Sequence, residues 1–247
     1  MRVAALWRHP IKGHGVEAVD AVDLAAGRTM PWDRVWAIAH EAARVSPGAW
    51  APCQNFARGA KSPELMAIRA EVDEARGRVR LTHPRAGAIE VDPDDPGDAA
   101  RLVAWVTPLT AHGRALPARV VRADIGMTDS DFPSVSVLNR ASLDALGERL
   151  GMELAMERFR GNVWLEGLAP FEEFALVGRK LRVGGAVLAV REPITRCVAT
   201  GVDPATGVSN ADTLGALEAG WGHRDFGAYG EVVEGGRVAV GDAAVVL

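Results

Sequence analysis

Short β-rich runs dominate the pattern of apolar and polar positions along the chain. Mainly apolar or alternating runs bounded by Gly, Pro, Asn and Asp are typical of strands. In the first half they predict strands at Val3–Arg8, Val16–Leu24, Val35–His40, Leu65–Val72, Arg78–Thr82 and Ala88–Val91. In the second half they predict strands at Arg119–Ala123, Ser134–Leu138, Asn162–Leu165, Lys180–Val183, Ala186–Arg191, Tyr229–Val233, Arg237–Val240 and Ala243–Leu247.

Three short helices interrupt these strands. Asn139 is a favourable N-cap residue, and Leu143, Leu146 and Leu150 follow it at a spacing that gives a helix one apolar face. Glycine commonly ends such a helix. The predicted helices are Asp98–Trp105, the segment from Asn139 to Gly151, and Asp212–Ala219 closed by Gly220.

The turns between strands indicate the fold class. Gly184-Gly185 and Gly235-Gly236 each lie between alternating apolar runs and are predicted as two-residue hairpin turns. Strands without regular intervening helices favour antiparallel pairing over βαβ units. Several hairpins in a short chain indicate a closed barrel. We therefore expect a mainly β fold with a few helices (α+β), whose larger part is an antiparallel β-barrel.

The stretch Thr107–Arg119 is the best candidate for a domain boundary, because Pro108, Gly113 and Pro117 interrupt the regular patterns there. We place the division between residues 115 and 116. Residues 1–115 are then expected to form a smaller β-rich domain, and residues 116–247 the barrel domain. A chain of 247 residues is long enough for either one core or two smaller ones.

Composition narrows the possible partners and the compartment. The net charge is −4, so no basic excess favours nucleic acid or an anionic membrane as a partner. No stretch approaches the roughly 20 apolar residues of a membrane span, and the first residues form too short an apolar run for a signal peptide. Two cysteines fit a reducing compartment. The expectation is a soluble cytoplasmic protein.

The two cysteines differ in their sequence surroundings. Cys197 follows Arg196 and precedes a turn-rich loop; an adjacent guanidinium favours thiolate over thiol, which suits a soft metal or sulfur transfer. Thr195 and Arg196 add a hydroxyl and N–H donors for an anionic group. A buried, structural Cys197 is the alternative. Cys53 has no basic neighbour closer than Arg58, and a structural role is favoured for it.

Further cations lie at predicted strand ends. Lys12 follows the first strand, Arg34 precedes the third, and Arg160 and Asn162 lie at the start of another. Each lies near a Gly or Pro, where the backbone can approach a ligand closely. Together they could hold a phosphate and a polar heterocycle, although each alone is typical of a solvated surface.

Several familiar sites are unsupported. The six histidines show no zinc-ligand spacing. No GxGxxG, GxxxxGK[ST] or GxSxG pattern is present. Nucleotide-binding Rossmann and P-loop sites and a serine hydrolase elbow are therefore not predicted.

Five motifs in order resemble those of MOSC-domain proteins that carry an N-terminal β-rich partner domain, the family of the mitochondrial amidoxime reducing component. The resemblance covers most of the chain. The PIKS-type motif is Pro10-Ile-Lys-Gly13, the GDRxW-type motif is Trp32-Asp-Arg-Val-Trp36, and the FRxN motif is Phe159-Arg-Gly-Asn162. The SRC…VDPxTG signature is Thr195-Arg-Cys197 with Val202–Gly207, and the FGxY…GxxxVGD pattern is Phe226-Gly-Ala-Tyr229 with Gly236–Asp242.

The resemblance implies a molybdenum cofactor (molybdenum–molybdopterin) between the two domains, and a reduction of N-hydroxylated or N-oxide substrates. Cys197 would be the catalytic residue and the molybdenum ligand. The remaining implied cofactor contacts are Lys12, Arg34, Ser134, Ser136, Arg160, Asn162, Thr195 and Arg196. Gly13 and Trp32 stand where the family motifs have Ser and Gly.

The same resemblance bears on partners. The chain ends five residues after Asp242, without a ferredoxin-type domain, and two cysteines cannot hold an iron–sulfur cluster. Electrons are therefore expected from a separate protein or reductant. Two alternatives stay open: a non-redox carrier of sulfur or cofactor that uses a Cys197 persulfide, and a binder of another phosphorylated ligand, such as pyridoxal phosphate on Lys12.

Overall fold

The computed structural model describes all 247 residues. Its strands are β1 (Arg2–Arg8), β2 (Ile11–Lys12), β3 (Glu17–Val19), β4 (Ala21–Leu24), β5 (Trp36–His40), β6 (Arg69–Asp73), β7 (Arg78–His83), β8 (Gly87–Val91), β9 (Pro117–Arg122), β10 (Val135–Asn139), β11 (Val163–Glu166), β12 (Lys180–Val183), β13 (Ala186–Thr195), β14 (Asp225–Glu234), β15 (Gly236–Ala239) and β16 (Ala244–Val246). Its helices are α1 (Pro96–Val106), α2 (Arg140–Leu150) and α3 (Thr213–Trp221). The expectation of a mainly β fold with few helices is confirmed.

An eight-stranded sheet forms the larger part of the molecule, with the strand order β16-β12-β13-β14-β10-β11-β1-β3. All its pairs are antiparallel except β10 with β11, which are parallel. The sheet curls until Arg2, at the start of β1, forms an antiparallel bridge with Ala243, just before β16. The half-barrel encloses a core of 19 buried apolar residues.

Smaller sheets build the rest. The order β2-β5-β9 forms one three-stranded sheet, β6-β7-β8 forms another, and β15 pairs with β4. A second core of 13 buried apolar residues lies between the two three-stranded sheets and α1. A third, of eight residues, packs α2 and α3 on the large sheet around Trp164, Phe159 and Phe226.

Strand pairing crosses the predicted domain division. β1 and β3 belong to the sheet formed by the second half of the chain, and β4 pairs with β15. The assignment of residues 1–115 and 116–247 to separate domains stays a prediction from the sequence.

The hairpin predicted at Gly235-Gly236 is wrong, because β15 pairs with β4 instead of β14. A Cβ at Gly236 would lie 2.2 Å from the carbonyl oxygen of Gly185, and one at Gly235 would lie 2.8 Å from that of Leu24. These glycines therefore permit two backbones to pass closely. The hairpin at Gly184-Gly185 is confirmed, since β12 and β13 pair antiparallel across it.

Two element boundaries also differ from expectation. The segment Leu65–Val72 is a 3₁₀ turn at Pro63–Ala67 followed by β6, because Pro63 starts a helical turn. Helix α3 runs past Gly220 and ends at Gly222, which adopts the left-handed conformation with φ of 76°. None of the helices is long and apolar enough to cross a bilayer.

Asn139 provides a test of the capping predicted from the sequence. Its Oδ1 accepts a hydrogen bond from the N–H of Ala141, and its Nδ2 donates to Glu173 and to the carbonyl oxygen of Ala169. We expect Asn139→Ala to lower the free energy of unfolding by about 2 kcal/mol, because a cap is lost and buried acceptors lose a donor. Urea unfolding measures this loss. Arg140→Ala, which removes an exposed ion pair to Asp144, should cost less than about 0.5 kcal/mol; equal losses would contradict the assignment.

Candidate functional site

A cleft of about 510 Å³ lies where the ends of several strands meet. All nine site residues expected from the sequence line it: Lys12, Arg34, Ser134, Ser136, Arg160, Asn162, Thr195, Arg196 and Cys197. Lys12 ends β2, Ser136 lies in β10, and Thr195 ends β13. The fold thus brings residues from both halves of the chain to one cavity. Their roles toward a ligand stay a prediction.

The cleft is strongly cationic, although the protein as a whole carries a net charge of −4. Its lining includes six cationic side chains and two carboxylates. The cations are Lys12, Arg34, Arg58, Arg158, Arg160 and Arg196, and the carboxylates are Asp129 and Glu192. Such an excess, in a concave and partly dehydrated site, focuses a positive potential and favours an anionic ligand.

Asp33 holds Arg34 in place. The Asp33 carboxylate is fully buried; it accepts a hydrogen bond from Arg34 Nη1 at 2.5 Å, and bonds from the backbone N–H and Nδ1–H of His9 at 2.8 and 3.0 Å. Burial alone would raise the pKa of Asp33, but Arg34 and the His9 bonds lower it overall. Burial would also lower the pKa of Arg34, and Asp33 more than offsets this. Both groups are therefore charged at neutral pH.

Arg34 and Arg160 connect the two halves of the chain by complementary contacts. Arg34 Nη2 donates to the carbonyl oxygen of Arg160 at 2.9 Å, and Arg160 Nη1 donates to that of Gly15 at 2.9 Å. Burial, followed by the neighbouring Arg34, lowers the pKa of Arg160 to about 9, so it is still a cation at neutral pH. The two guanidinium groups are thus held near each other despite their like charge.

Lys12 is anchored by one short loop. Its Nζ donates to the carbonyl oxygens of Met127 and Thr128 at 2.8 and 3.0 Å, and to Asp129 Oδ1 at 2.6 Å. An ammonium has three N–H donors, so all three are in use. Burial lowers the pKa of Lys12, and Asp129 opposes that shift. Burial alone would raise the pKa of Asp129, but Lys12, Arg34 and Arg160 lower it overall.

The polar residues at the starts of β10 and β11 are held by hydrogen bonds within the chain. Asn162 Oδ1 accepts hydrogen bonds from the N–H and the hydroxyl of Ser136 at 3.0 and 2.9 Å, and Asn162 Nδ2 donates to the carbonyl oxygen of Trp7. The hydroxyl of Ser134 accepts a bond from Ser130 at 2.7 Å. These residues fix the strand ends that form the floor of the cleft.

Arg196 anchors the end of β13. It donates to the carbonyl oxygen of Phe226 through Nε and Nη2 at 2.8 and 2.5 Å, and to that of Phe159 through Nη1 at 2.8 Å. Its guanidinium lies over the two phenyl rings, 5.6 and 6.0 Å from their centres. Burial lowers its pKa to about 10. The neighbouring Thr195 donates its hydroxyl to Asp225 at 2.5 Å.

Cys197 follows this anchored strand end and is exposed within the cleft. A buried structural cysteine, the alternative left open by the sequence, does not describe it. The exposed side chain can reach a ligand without any rearrangement of a packed core.

Sequence reasoning missed several lining residues. Cys53 is partly exposed in the cleft and accepts a hydrogen bond from Arg58 Nη1 at 3.0 Å, so it does not lie in a core as a purely structural cysteine would. Arg158, Asp129 and Tyr229 also line the cleft. Tyr229 stands inside a motif already noted and Arg158 directly precedes one, whereas no local pattern marks Asp129. Burial, then Asp129, raises the pKa of Tyr229 to about 12, so its hydroxyl keeps its proton.

The two motif departures have structural counterparts. Trp32 adopts a φ of 62°, a left-handed conformation that glycine adopts at no steric cost. At Gly13 an added Cβ would lie 2.9 Å from the carbonyl oxygen of Ala57 and 3.1 Å from the Cα of Arg58. A larger residue at 13 would push that segment away, so the glycine allows Arg58 to sit at the cleft.

The chain matches two family profiles. Residues 1–116 match the profile described as "MOSC N-terminal beta barrel domain", and residues 126–245 match that described as "MOSC domain". The two matches leave only a short stretch around residue 120 and the last residues uncovered.

Curated relatives of two kinds are similar to this chain. Mitochondrial amidoxime-reducing component 1 of Mus musculus is 25% identical over 291 residues, covering 99% of this chain and 82% of the mouse protein. Mitochondrial amidoxime reducing component 2 of Bos taurus is 24% identical, covering 83% of this chain and 68% of the bovine protein. The molybdenum cofactor sulfurase of Anopheles gambiae is 28% identical over 125 residues, which are 46% of this chain and only 16% of the sulfurase. The crystal structure of the YuaD protein from Bacillus subtilis aligns with 99% of this chain at 12% identity and a TM-score of 0.47, over 94% of that protein.

Because two histidines beside the cleft are buried, we expect the protein to lose stability in mild acid. Burial, with the guanidiniums of Arg160 and Arg34, lowers the pKa of His9 to about 3, and burial lowers that of His14 to about 4. An unfolded histidine titrates near pH ~6.5, so between pH ~7 and ~5 only the unfolded chain takes up these protons. Each histidine should therefore lower the free energy of unfolding by about 2 kcal/mol over that interval.

Urea unfolding at a series of pH values measures this effect. His14→Asn keeps an N–H donor near the carbonyl oxygen of Lys12, which His14 Nδ1 contacts at 2.8 Å, and removes one titrating group. The variant should show about half of the wild-type loss. A loss as large as in the wild type would contradict the assignment to His14.

Proposed function

Because this chain belongs to the MOSC-domain family, we propose that it binds a molybdenum cofactor of the molybdopterin type in the cleft and reduces N-hydroxylated or N-oxide compounds. Cys197 is proposed as the sulfur ligand of molybdenum. The observation that carries the proposal is the combination of six cationic side chains, two carboxylates and an exposed cysteine in one cavity.

The donor set fits the cofactor. A phosphate tail needs cations and N–H donors, and the cleft supplies Lys12, Arg34 and Arg160 close together. A pterin is a flat, polar heterocycle, for which the hydroxyls of Ser134 and Ser136 and the amide of Asn162 lie along the floor. Soft sulfur donors suit molybdenum, and Cys197 offers one.

The anchored residues bind and orient the ligand with little rearrangement. Arg34 and Arg160 are fixed by Asp33 and by main-chain carbonyls, so they contribute charge at defined positions. At Lys12 an incoming phosphate would share or replace the bond to Asp129. Preorganised charge of this kind lowers the cost of ordering side chains on binding.

When bound, the cofactor supplies the two-electron redox chemistry by which the N–O bond is broken. The chain contributes the orientation of Cys197, through the Arg196 bonds at the end of β13. Tyr229 keeps its proton at neutral pH and can donate a hydrogen bond inside the cleft. Glu192 lines the same cavity.

Electrons are proposed to come from a separate protein or reductant. Both cysteines of the chain lie in the cleft, and two thiolates are too few for an iron–sulfur cluster.

Molybdenum analysis of protein purified from a host that makes the cofactor tests the proposal. We expect about one molybdenum atom and one pterin per chain. Cys197→Ser should retain pterin, because the phosphate contacts do not involve sulfur, and should lose reduction of benzamidoxime by about 100-fold or more. X-ray absorption at the molybdenum edge should count one sulfur ligand fewer in this variant.

Cys53→Ser is the matched control, since it removes the other cysteine sulfur of the same cleft. Its molybdenum should keep the wild-type number of sulfur ligands. Protein without molybdenum or pterin would refute cofactor binding. A loss of a sulfur ligand in Cys53→Ser but not in Cys197→Ser would refute the role given to Cys197.

A sulfur carrier is the second candidate, favoured by the exposure of Cys197 and by the similarity to molybdenum cofactor sulfurases. A carrier would hold a persulfide on Cys197, detected by mass spectrometry as an addition of about 32 Da. That adduct on the wild type, without turnover of an amidoxime, would favour the carrier over the reductase.

Pyridoxal phosphate on Lys12 is less well supported. A Schiff base needs a free amine, whereas the Lys12 ammonium donates to three acceptors and pairs with Asp129. This geometry favours an anion-binding lysine.

A further inference from the structure

We propose that Arg58 and Arg158 form a second anion-binding subsite in the cleft, which takes a carboxylate or phosphate group of the substrate. Assigning the anion to the substrate rests on the function proposed above, whereas the subsite itself does not. The substrate class would then be N-oxygenated compounds that also carry a negatively charged group.

The cations of the cleft differ in how their donors are used. Lys12 spends all three of its N–H donors within the chain, and Arg196 bonds through all three of its nitrogens. Arg34 and Arg160 each bond to main-chain carbonyl oxygens. Each of these four cations is thus held by at least two hydrogen bonds within the chain, although the three arginines among them keep further N–H groups.

Arg158 is the opposite case. It is 3% exposed, and its one hydrogen bond runs from Nη2 to Asn210 Oδ1 at 2.8 Å. Its Nε and Nη1 are buried without an acceptor. Buried donors without a partner cost about 1–3 kcal/mol each, more when charged, and often mark the place of a missing ion or ligand.

Arg58 is the second cation with donors to spare. Its guanidinium makes one side-chain hydrogen bond, from Nη1 to Cys53 Sγ at 3.0 Å, and no carboxylate pairs with it. A thiol sulfur is a weak acceptor. The close approach that Gly13 permits brings the Arg58 backbone against the end of β2, next to the cleft.

The surroundings of the two arginines fit a small organic anion. Met66, Ala199 and Thr200 line the cavity with them and provide a mainly apolar wall. A Cβ at Gly59 would lie 3.8 Å from the Cβ of Ala199, so the Arg58 segment packs against the turn that follows Cys197. An anion held there lies in the same cavity as the Cys197 sulfur.

Guanidinium groups recognise carboxylate and phosphate by paired, charge-assisted hydrogen bonds. Arg158 and Arg58 lack a carboxylate partner in the protein, so an external oxyanion would gain that interaction without displacing one. In contrast, an anion at Lys12 must compete with Asp129.

Anion binding to the purified protein tests the subsite. The probes are benzoate, for a carboxylate, and inorganic phosphate, measured by calorimetry at about 0.15 M salt, where long-range attraction is largely screened. We expect Arg58→Gln to weaken binding of at least one probe by about fivefold or more. Which probe loses affinity distinguishes a carboxylate subsite from a phosphate subsite.

Three further variants make the result specific. Arg158→Lys keeps the buried charge but not the planar guanidinium, so it should weaken binding of the same probe. The thermal midpoint of this variant shows whether its fold is intact. Arg34→Gln should weaken binding of that probe less than Arg58→Gln does. Arg179→Gln, an exposed arginine outside the cleft, should leave it unchanged. If Arg58→Gln causes no loss of affinity, the subsite is overturned. An equal loss of affinity in Arg34→Gln also overturns it, because the general positive potential of the cleft would then explain the binding.

The substrate assignment has its own measurement. In protein that contains molybdenum, 4-carboxybenzamidoxime should show a lower KM than benzamidoxime. Arg58→Gln should raise the KM for 4-carboxybenzamidoxime about fivefold more than it raises the KM for benzamidoxime. Equal KM values for the two compounds overturn the assignment. Absence of molybdenum would refute the proposed function, whereas the benzoate and phosphate measurements would still decide the subsite.

Discussion

The buried carboxylate of Asp33 is the constraint on which the cationic cleft depends. A guanidinium removed from water loses several kcal/mol of hydration, and a second guanidinium nearby adds repulsion. Asp33 offsets both effects for Arg34, and Arg34 together with the two N–H groups of His9 keeps Asp33 ionised. Breaking such a buried pair typically costs about 3–5 kcal/mol. The position of Arg160, whose carbonyl receives Arg34, follows from the same arrangement.

The large sheet holds the residues around these charges at one cleft. Its strands β10, β11, β13 and β14 are laterally bonded, so the groups at their ends cannot move independently. β1 belongs to this sheet, and the chain leaves it directly into the segment that carries Lys12. The cleft therefore takes one wall from each half of the chain, and the contacts of Arg34, Arg160 and Lys12 cross between the walls. A ligand bound there would bridge both halves.

Much of the fold could be predicted because local chemistry determines it. Lys180–Val183 is a strand with the predicted bounds, and Asn139 caps its helix as its residue type indicates. Gly235-Gly236 was misjudged because a glycine pair that permits close backbone passage has the same sequence pattern as a hairpin turn. Only the tertiary partner of β15 distinguishes the two.

The candidate site shows the same limit. Residues inside motifs, such as Arg34 and Asn162, were found because the motif is contiguous in sequence. Asp129 and Arg58 were missed because their importance comes from contacts with Lys12 and Cys53, which are distant or unremarkable in the sequence. No local pattern encodes a carboxylate that ends beside an ammonium 117 residues away in the chain.

Backbone strain concentrates at the same place. Four residues other than glycine have positive φ, and three of them, Trp32, Arg34 and Arg160, lie at or next to the cleft. The left-handed conformation costs such residues about 1–2 kcal/mol each. The hydrogen bonds of the two arginines offset that cost, so their guanidinium groups are aimed by the fold and not by their own preference. Glycine or asparagine would adopt this conformation at lower cost, so the arginines provide charge at a fixed position at the expense of backbone stability.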